Sequence, residues 1–384
     1  MPTDTIEIQG NWDEKFDALV EIFAQSLKAG ADLGASFAAT IDGELVVDIW
    51  GGHLDEEKTS PWQENTIINV YSTTKTMCFL CTLILADRGQ LDFDTNVADY
   101  WPEFAQNGKA DIKMWHIMDH AAGLSGLDVA VSTEDLYDWD KMVSLLAAQP
   151  PWWQPGTASG YHAVTQGYLI GEVVRRISGK TLGQFFQKEV AESLQADFHI
   201  GVPDALFSRV ADLIPAEGAA TNLSGNGQAD SIAARTFANP AIDALTSRTH
   251  GWRKAEIPAA NGHGNARSVA QIQAVLACQG EAQGRRLFSQ DIARMVMRER
   301  ISGTDLVLDT PQRFGLGYGL NNPDMPISPN KNVCFWGGWG GSAIIVDQDA
   351  RASIAYVMNK METSLEGDMR SANLIGAFYG ALTG

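Results

Sequence analysis

Strand-like, β-branched segments sit at both ends of this chain and helical spacing fills the stretch between them, a distribution that few architectures accommodate. Near the N-terminus, residues 35–41 and 44–50 flank Asp42-Gly43, a preferred two-residue hairpin turn. β-Branched runs return at Val333, and residues 343–346 and 353–358 flank the turn-rich Asp347-Gln348-Asp349-Ala350. Between them strands largely disappear: residues 112–120, 136–148 and 164–177 carry helical periodicity, separated by Gly and Pro loops. The expectation is an α+β fold, an antiparallel sheet flanked by helices and built from both chain ends, with an inserted helical domain. Residues 1–90 and 259–384 would form a discontinuous α/β sandwich domain and residues 91–258 the helical domain, with the functional site at their interface. The spacing further predicts a helix that opens with a capping box at Asn11 and Glu14 and stops at Gly30, a short strand over 66–71, a helix over 269–278 and a last helix over 368–382.

The strand over 66–71 feeds into a helix expected to open at Ser72 and stop at Gly89, so Ser72 sits on a strand-to-helix corner. Ser72 and Lys75 then share one helix face, close enough to exchange a proton. A serine hydroxyl is a weak nucleophile at neutral pH; a base that takes its proton makes attack on a carbonyl feasible. Lys75 can serve if burial beside Met77, Cys78 and Phe79 disfavours its charged form. Backbone N–H groups at the helix start can receive the oxyanion that such an attack creates. Taken alone, though, a serine at a helix start is most often an N-cap and a lysine one turn on a solvated charge.

Two further stretches supply partners. The loop Pro150-Pro151-Trp152-Trp153-Gln154-Pro155-Gly156-Thr157-Ala158-Ser159-Gly160-Tyr161-His162-Ala163 ends at a predicted helix, and a tyrosine there can reach Ser72 from the other domain and act as base. In Cys334-Phe335-Trp336-Gly337-Gly338-Trp339-Gly340-Gly341-Ser342, glycines interrupt a strand, which signals close approach of a ligand or another backbone. The Trp339 N–H there can complete an oxyanion site beside Ser72.

Other chemistries find little support. His116 and His120 stand four apart on a predicted helix, but without the glutamate of H-E-x-x-H, so they read as packing or capping. No G-x-S-x-G, G-x-x-x-x-G-K or G-x-G-x-x-G occurs, and no metal or cofactor is expected. A formal net charge of −19 argues against nucleic acid or an anionic membrane surface as partner. The polar N-terminus carries no leader pattern and no apolar run is long enough to cross a bilayer, so a cytoplasmic protein is expected. The four cysteines, Cys78, Cys81, Cys278 and Cys334, fit buried thiols in a reducing compartment. Oligomeric state is not legible.

Taken together, these stretches resemble the serine β-lactamase and penicillin-binding superfamily, nearest to family VIII carboxylesterases and class C β-lactamases. Ser72-Thr73-Thr74-Lys75 is similar to S-x-x-K, Tyr161 to the tyrosine of Y-x-N, Trp336-Gly337-Gly338 stands in the place of K-T-G, and His120-Ala121-Ala122-Gly123-Leu124 resembles an H-x-x-G-L segment. Ala163 replaces the asparagine and Trp336 the lysine, departures that weaken a lactam reading and favour an esterase. The resemblance implies a serine hydrolase that cleaves short-chain carboxylic esters of small-molecule substrates. Ser72 attacks the carbonyl, Lys75 and Tyr161 share its proton, Tyr161 protonates the leaving alkoxide, and the N–H groups of Ser72 and Trp339 hold the oxyanion. Trp152, Trp153, His162, Trp336, Gly337 and Gly338 would contribute to substrate binding. The alternatives are a β-lactamase or D-amino peptidase acting on amides, an acyltransferase, and a non-catalytic binding homologue.

Overall fold

The computed structural model describes residues 7–217, 230–365 and 367–383. Residues 1–6 of the polar N-terminus and residues 218–229 of the helical stretch lie outside the described residues. The strands are β1 (Gln9–Trp12), β2 (Gly34–Ile41), β3 (Glu44–Gly52), β4 (Ile68–Asn69), β5 (His199–Ile200), β6 (Gly262–Gly264), β7 (Glu281–Ala282), β8 (Arg285–Arg286), β9 (Ile301–Thr304), β10 (Pro311–Gly315), β11 (Tyr318–Leu320), β12 (Val333–Gly337), β13 (Ala343–Asp347) and β14 (Ala352–Met358).

Nine of these form one sheet in the order β1-β3-β2-β14-β13-β12-β11-β10-β9. The two chain ends meet at its centre, where β2 pairs antiparallel with β14 through Ala38 opposite Ala355. Both strands are almost wholly buried, and the hydroxyls of Thr40 and Ser353, 2.7 Å apart, satisfy each other there. The Asp42-Gly43 turn joins β2 to β3 as the sequence predicts, with both residues at positive φ. Helix Ala266–Ala277 packs across β2, β13 and β14, while helices Asp17–Ala29 and Met369–Thr383 pack on each other with Phe16 stacked on Phe378. β4, β6 and β5 make a separate three-stranded sheet, β4-β6-β5, that leads the chain into the Ser72 corner.

The sequence expectation fails at three places. The capping box at Asn11 and Glu14 does not form: residues 9–12 are strand β1, with Trp12 opposite Val47, and the helix starts only at Asp17. The open edge of β3 pairs four residues of backbone there, which outweighs a marginal helical turn. The helix does end at Gly30, in the left-handed conformation at φ 73°. The strand over 66–71 contracts to Ile68–Asn69, and the helix over 112–120 to Met114–Met118, because its flanks are drawn into turns. Strands β9 to β11 carry no clear alternating pattern in sequence, yet they complete the sheet.

Helix Lys75–Asp87 lies at the centre of the molecule. Every residue from Lys75 to Leu85 is buried, so it has no solvent face and no polar stripe to announce one. Each large apolar side chain on it contributes about 1.5–3 kcal/mol by burial, which anchors its first turn rigidly.

Candidate active site

β4 ends at Asn69, and the chain bends at Tyr71 (φ 42°, ψ −125°) before the 3-10 turn Ser72–Thr74 enters the central helix. A tyrosine held at positive φ costs about 1–3 kcal/mol, so its surroundings must over-determine it. They do: its ring packs 5.0 Å from Trp339 and 6.3 Å from Trp252, and its hydroxyl donates to the Ala244 carbonyl at 3.3 Å. Thr74 fastens the corner from inside, donating its hydroxyl to the Tyr71 carbonyl at 2.5 Å and accepting the Gly262 N–H at 2.8 Å.

The glycine-rich stretch after β12 closes over the same corner. Ser342 Oγ donates to the Val70 carbonyl at 2.9 Å and lies 2.9 Å from Thr73 Oγ1. Gly338 passes so near that a Cβ there would strike the Val70 carbonyl, the close approach that the sequence pattern signals. Arg370 supports the turn from behind, donating to the Gly340 carbonyl at 2.9 Å.

Ser72, Lys75 and Tyr161 come together as predicted. Ser72 Oγ is hydrogen-bonded to Tyr161 Oη, and Lys75 Nζ lies 3.2 Å from Ser72 Oγ and 3.0 Å from Tyr161 Oη. All three are buried. Lys75 Nζ also donates to two carbonyls, Ala163 at 2.7 Å and Ala259 at 2.9 Å. These acceptors use two hydrogens and leave one position of the nitrogen facing the two hydroxyls. An amine with two hydrogens and a lone pair satisfies that set, the lone pair accepting from a hydroxyl. Burial draws the Lys75 pKa well below its usual value, which favours the neutral amine.

The sequence reading did not find the two carbonyls. Asn69 and Asn261 shape the 257–261 turn that presents Ala259: Asn69 Nδ2 donates to the Ala260 carbonyl at 2.8 Å, and Asn261 Oδ1 accepts the Ile257 N–H at 2.8 Å. Helix Thr165–Ser178 can approach this turn because Gly167 lacks a side chain; a Cβ there would lie 2.5 Å from the Ala259 nitrogen. Ala163, at the place of the family asparagine, meets Lys75 through its carbonyl oxygen.

Trp336 borders Tyr161, while Trp339 packs on Tyr71. Trp336 stacks on His120 (5.5 Å) and tilts against Tyr161 (5.8 Å), and with Tyr161, Leu308, Phe335, Gly337 and Leu365 it lines a narrow cavity. Its position therefore carries an aromatic wall where a lysine would carry a charge. Three other residues expected at the substrate have partners within the protein. His162 is fully buried; its Nε2 accepts the Leu124 N–H at 3.1 Å and its Nδ1 is 2.6 Å from the Gly160 carbonyl, so neither nitrogen is left for a ligand. Burial also pushes its pKa down to about 3, keeping the ring neutral. Trp152 donates to Asp128 at 2.8 Å and carries the Arg235 guanidinium 3.9 Å above its ring, a cation–π clamp between its loop and helix Ile232–Ala238. Trp153 donates to the Ala158 carbonyl at 3.0 Å and packs on His162, bracing the loop that ends at Tyr161.

His116 and His120 pack and cap, as expected. His116 Nδ1 accepts the Lys113 N–H at 3.1 Å, and His120 Nδ1 accepts the His162 N–H at 3.0 Å. All four cysteines are free and buried. Among the described residues no cluster of His, Cys, Asp and Glu is placed to hold a metal, and no helix is long and apolar enough to cross a membrane.

Known proteins resemble this chain over most of its length. Esterase/beta-lactamase LipL of Mycobacterium tuberculosis (strain ATCC 25618 / H37Rv) is 34% identical over 365 residues, covering 93% of this chain and 84% of that protein. The crystal structure of a family VIII carboxylesterase matches at a TM-score of 0.92 with 40% identity, covering 98% of this chain and 100% of that one. A penicillin-binding protein homologue from Caulobacter crescentus matches at 0.91 with 38% identity, again over 98% and 100%. The Beta-lactamase family model matches residues 19–377, so by sequence and by fold this chain belongs to the beta-lactamase family.

Proposed function

We propose that the protein is a serine carboxylesterase that cleaves short-chain carboxylic esters through an acyl-enzyme on Ser72. The observation that carries this reading is the hydrogen-bond set of Lys75, whose two carbonyl partners leave its remaining position to Ser72 Oγ and Tyr161 Oη. Ser72 Oγ attacks the ester carbonyl as its proton passes to the Lys75 and Tyr161 pair. The oxyanion rests on the N–H groups of Ser72 and Trp339, each donor being worth on the order of 10²–10³ in rate. As the intermediate collapses, the bond from carbonyl carbon to alkoxy oxygen breaks and Tyr161 Oη protonates the departing alkoxide. Water activated by the same pair then attacks the acyl-enzyme and frees the acid. The aromatic surface of Trp336 in place of a cation suits a neutral ester better than a substrate that needs its carboxylate held.

A second reading, hydrolysis of β-lactams, is favoured by the relative named as both esterase and beta-lactamase. One experiment tests both. Wild type and Ser72→Ala are given a nitrophenyl butyrate and a chromogenic cephalosporin, and intact mass is measured after fluorophosphonate treatment. The proposal expects ester turnover and a single adduct on wild type only, with the cephalosporin much slower. Equal ester turnover in both proteins, or no adduct on wild type, overturns the Ser72 mechanism; faster cephalosporin turnover moves the protein to the second reading.

A further inference from the structure

The backbone around Tyr161 is held at three consecutive N–H groups. Gly160 donates to the His120 carbonyl at 2.9 Å, Tyr161 to Asp305 Oδ1 at 2.9 Å, and His162 to His120 Nδ1 at 3.0 Å. His120 lies in a stretch already singled out from sequence; Asp305 comes from a distant part of the fold. It begins the six-residue loop 305–310 that closes the β9–β10 hairpin at the last edge of the large sheet, where Thr304 pairs with Pro311.

One oxygen of Asp305 serves two structures. Besides the Tyr161 N–H, Oδ1 accepts the N–H groups of Val307 and Leu308, each at 2.9 Å, which fold the hairpin tip. Leu306 N–H reinforces the junction by donating to the Ser159 carbonyl at 2.9 Å. Asp305 is 1% exposed, and its Oδ2 has no hydrogen-bond partner among the described residues. Burying a carboxylate with one oxygen idle is expensive, and three N–H donors on the other compensate because bonds to a charged acceptor are the strong ones. A loop tip alone can be closed by a solvated residue at no such cost. The same Leu308 that Oδ1 fixes lines the narrow cavity beside Tyr161.

We propose that Asp305 is a positioning residue: through its Oδ1 it sets the Tyr161 phenol and the Leu308 wall together, so that the proton donor and the surface facing the leaving alcohol keep one spacing. The inference rests on the acyl-enzyme reading above. Of the steps in which Tyr161 takes part, the one whose weight depends on the leaving group is delivery of the Tyr161 proton to the alkoxide as the carbon–oxygen bond breaks. A poorly stabilised alkoxide needs that proton in the transition state, whereas nitrophenolate departs largely without it.

The test compares an ethyl ester with a nitrophenyl ester of the same acid, in wild type, Asp305→Ala, Asp305→Glu, Asp305→Asn and Tyr161→Phe, with rates normalised to folded protein. Asp305→Ala and Asp305→Glu, which remove or displace the acceptor, should lower kcat/KM on the ethyl ester by about 10²-fold and on the nitrophenyl ester by less than about 10-fold. Asp305→Asn keeps an acceptor oxygen in place and should keep the wild-type ratio of the two rates. If Asp305→Ala does not fold, Asp305→Glu, which still offers a carboxylate, decides the matter. Equal losses on both esters, as a mere stability defect would give, or no loss at all, overturn the positioning role. Tyr161→Phe separates the levels: an equal loss on both esters in that variant overturns the acid role of Tyr161 and takes the inference with it.

Discussion

Two lysines among the described residues are buried, and their partners differ. Lys109 donates to the carbonyls of Gln106 at 3.0 Å, Ala147 at 2.9 Å and Gln149, three acceptors for the three hydrogens of an ammonium. Lys75 has two carbonyls and two hydroxyls. Burial lowers both, Lys109 to about 8 and Lys75 well below the ordinary lysine value. Burial therefore does not distinguish a clamp from the proposed base. The identity of the third partner does: a carbonyl can only accept and asks for a third proton, while a hydroxyl can give one to a lone pair.

The strongest way to break this contrast is Lys75→Arg, which keeps a cation where a neutral amine is required. A guanidinium does not give up its proton in a protein, so kcat on a nitrophenyl ester should fall by about 10³-fold or more. Retained activity would end the role of Lys75 as base. Lys109→Met is the converse: it leaves three buried carbonyls without their donor, and urea unfolding should show a loss of about 2–3 kcal/mol while kcat per folded molecule stays unchanged. A kcat effect without a stability effect would erase the distinction between the two lysines.

Asp119 sharpens the contrast from the acidic side. Its Oδ1 accepts the Gly317 N–H at 2.5 Å, its Oδ2 has no partner among the described residues, and burial raises its pKa to about 7 from 3.8. Between those values the folded chain holds a proton that the unfolded chain has released. This contribution to stability is complete below about pH 4 and is lost as pH rises through 7. Asp119→Asn, which imitates the protonated acid, should therefore gain on wild type by about 2–3 kcal/mol between pH 5 and pH 8, measured by unfolding at both. The smallest effect belongs to Trp152→Ala, which removes the stack with Arg235 and should cost about 0.5–1 kcal/mol of stability with KM for a short ester changed less than about threefold.

The legible part of the site was the part that lies in one helical turn or carries a distinctive side chain. Ser72 and Lys75 share a three-residue spacing, and they and Tyr161 stand out together through their resemblance to S-x-x-K and Y-x-N rather than through either stretch alone. Ala163 and Ala259 could not be read because they act through backbone oxygens, which any residue supplies. Asp305 could not be read because Tyr161 is 144 residues away and the strand before it, Ile301–Thr304, is short and lacks alternation. His162 shows the opposite hazard: a polar side chain next to Tyr161 invites a ligand reading, and only the fold reveals that both nitrogens are already engaged. The sheet itself was visible where hairpins are local, at β2–β3 and β13–β14, and invisible at β1, where tertiary pairing overrode a helical signal.

The pairing of β2 with β14 has a consequence for how the molecule is made. Thr40 and Ser353 face each other across 313 residues of chain, so a ribosome must release almost the whole polypeptide before the middle of the sheet can close. Until then β2 and β3 wait with an apolar surface and an open edge, and contacts of such long range form slowly. The helical middle can gather earlier, but the turn that caps Ser72 is built from residues 338–342. A nascent chain thus carries Ser72 from early in synthesis and can acquire the completed corner only near its end.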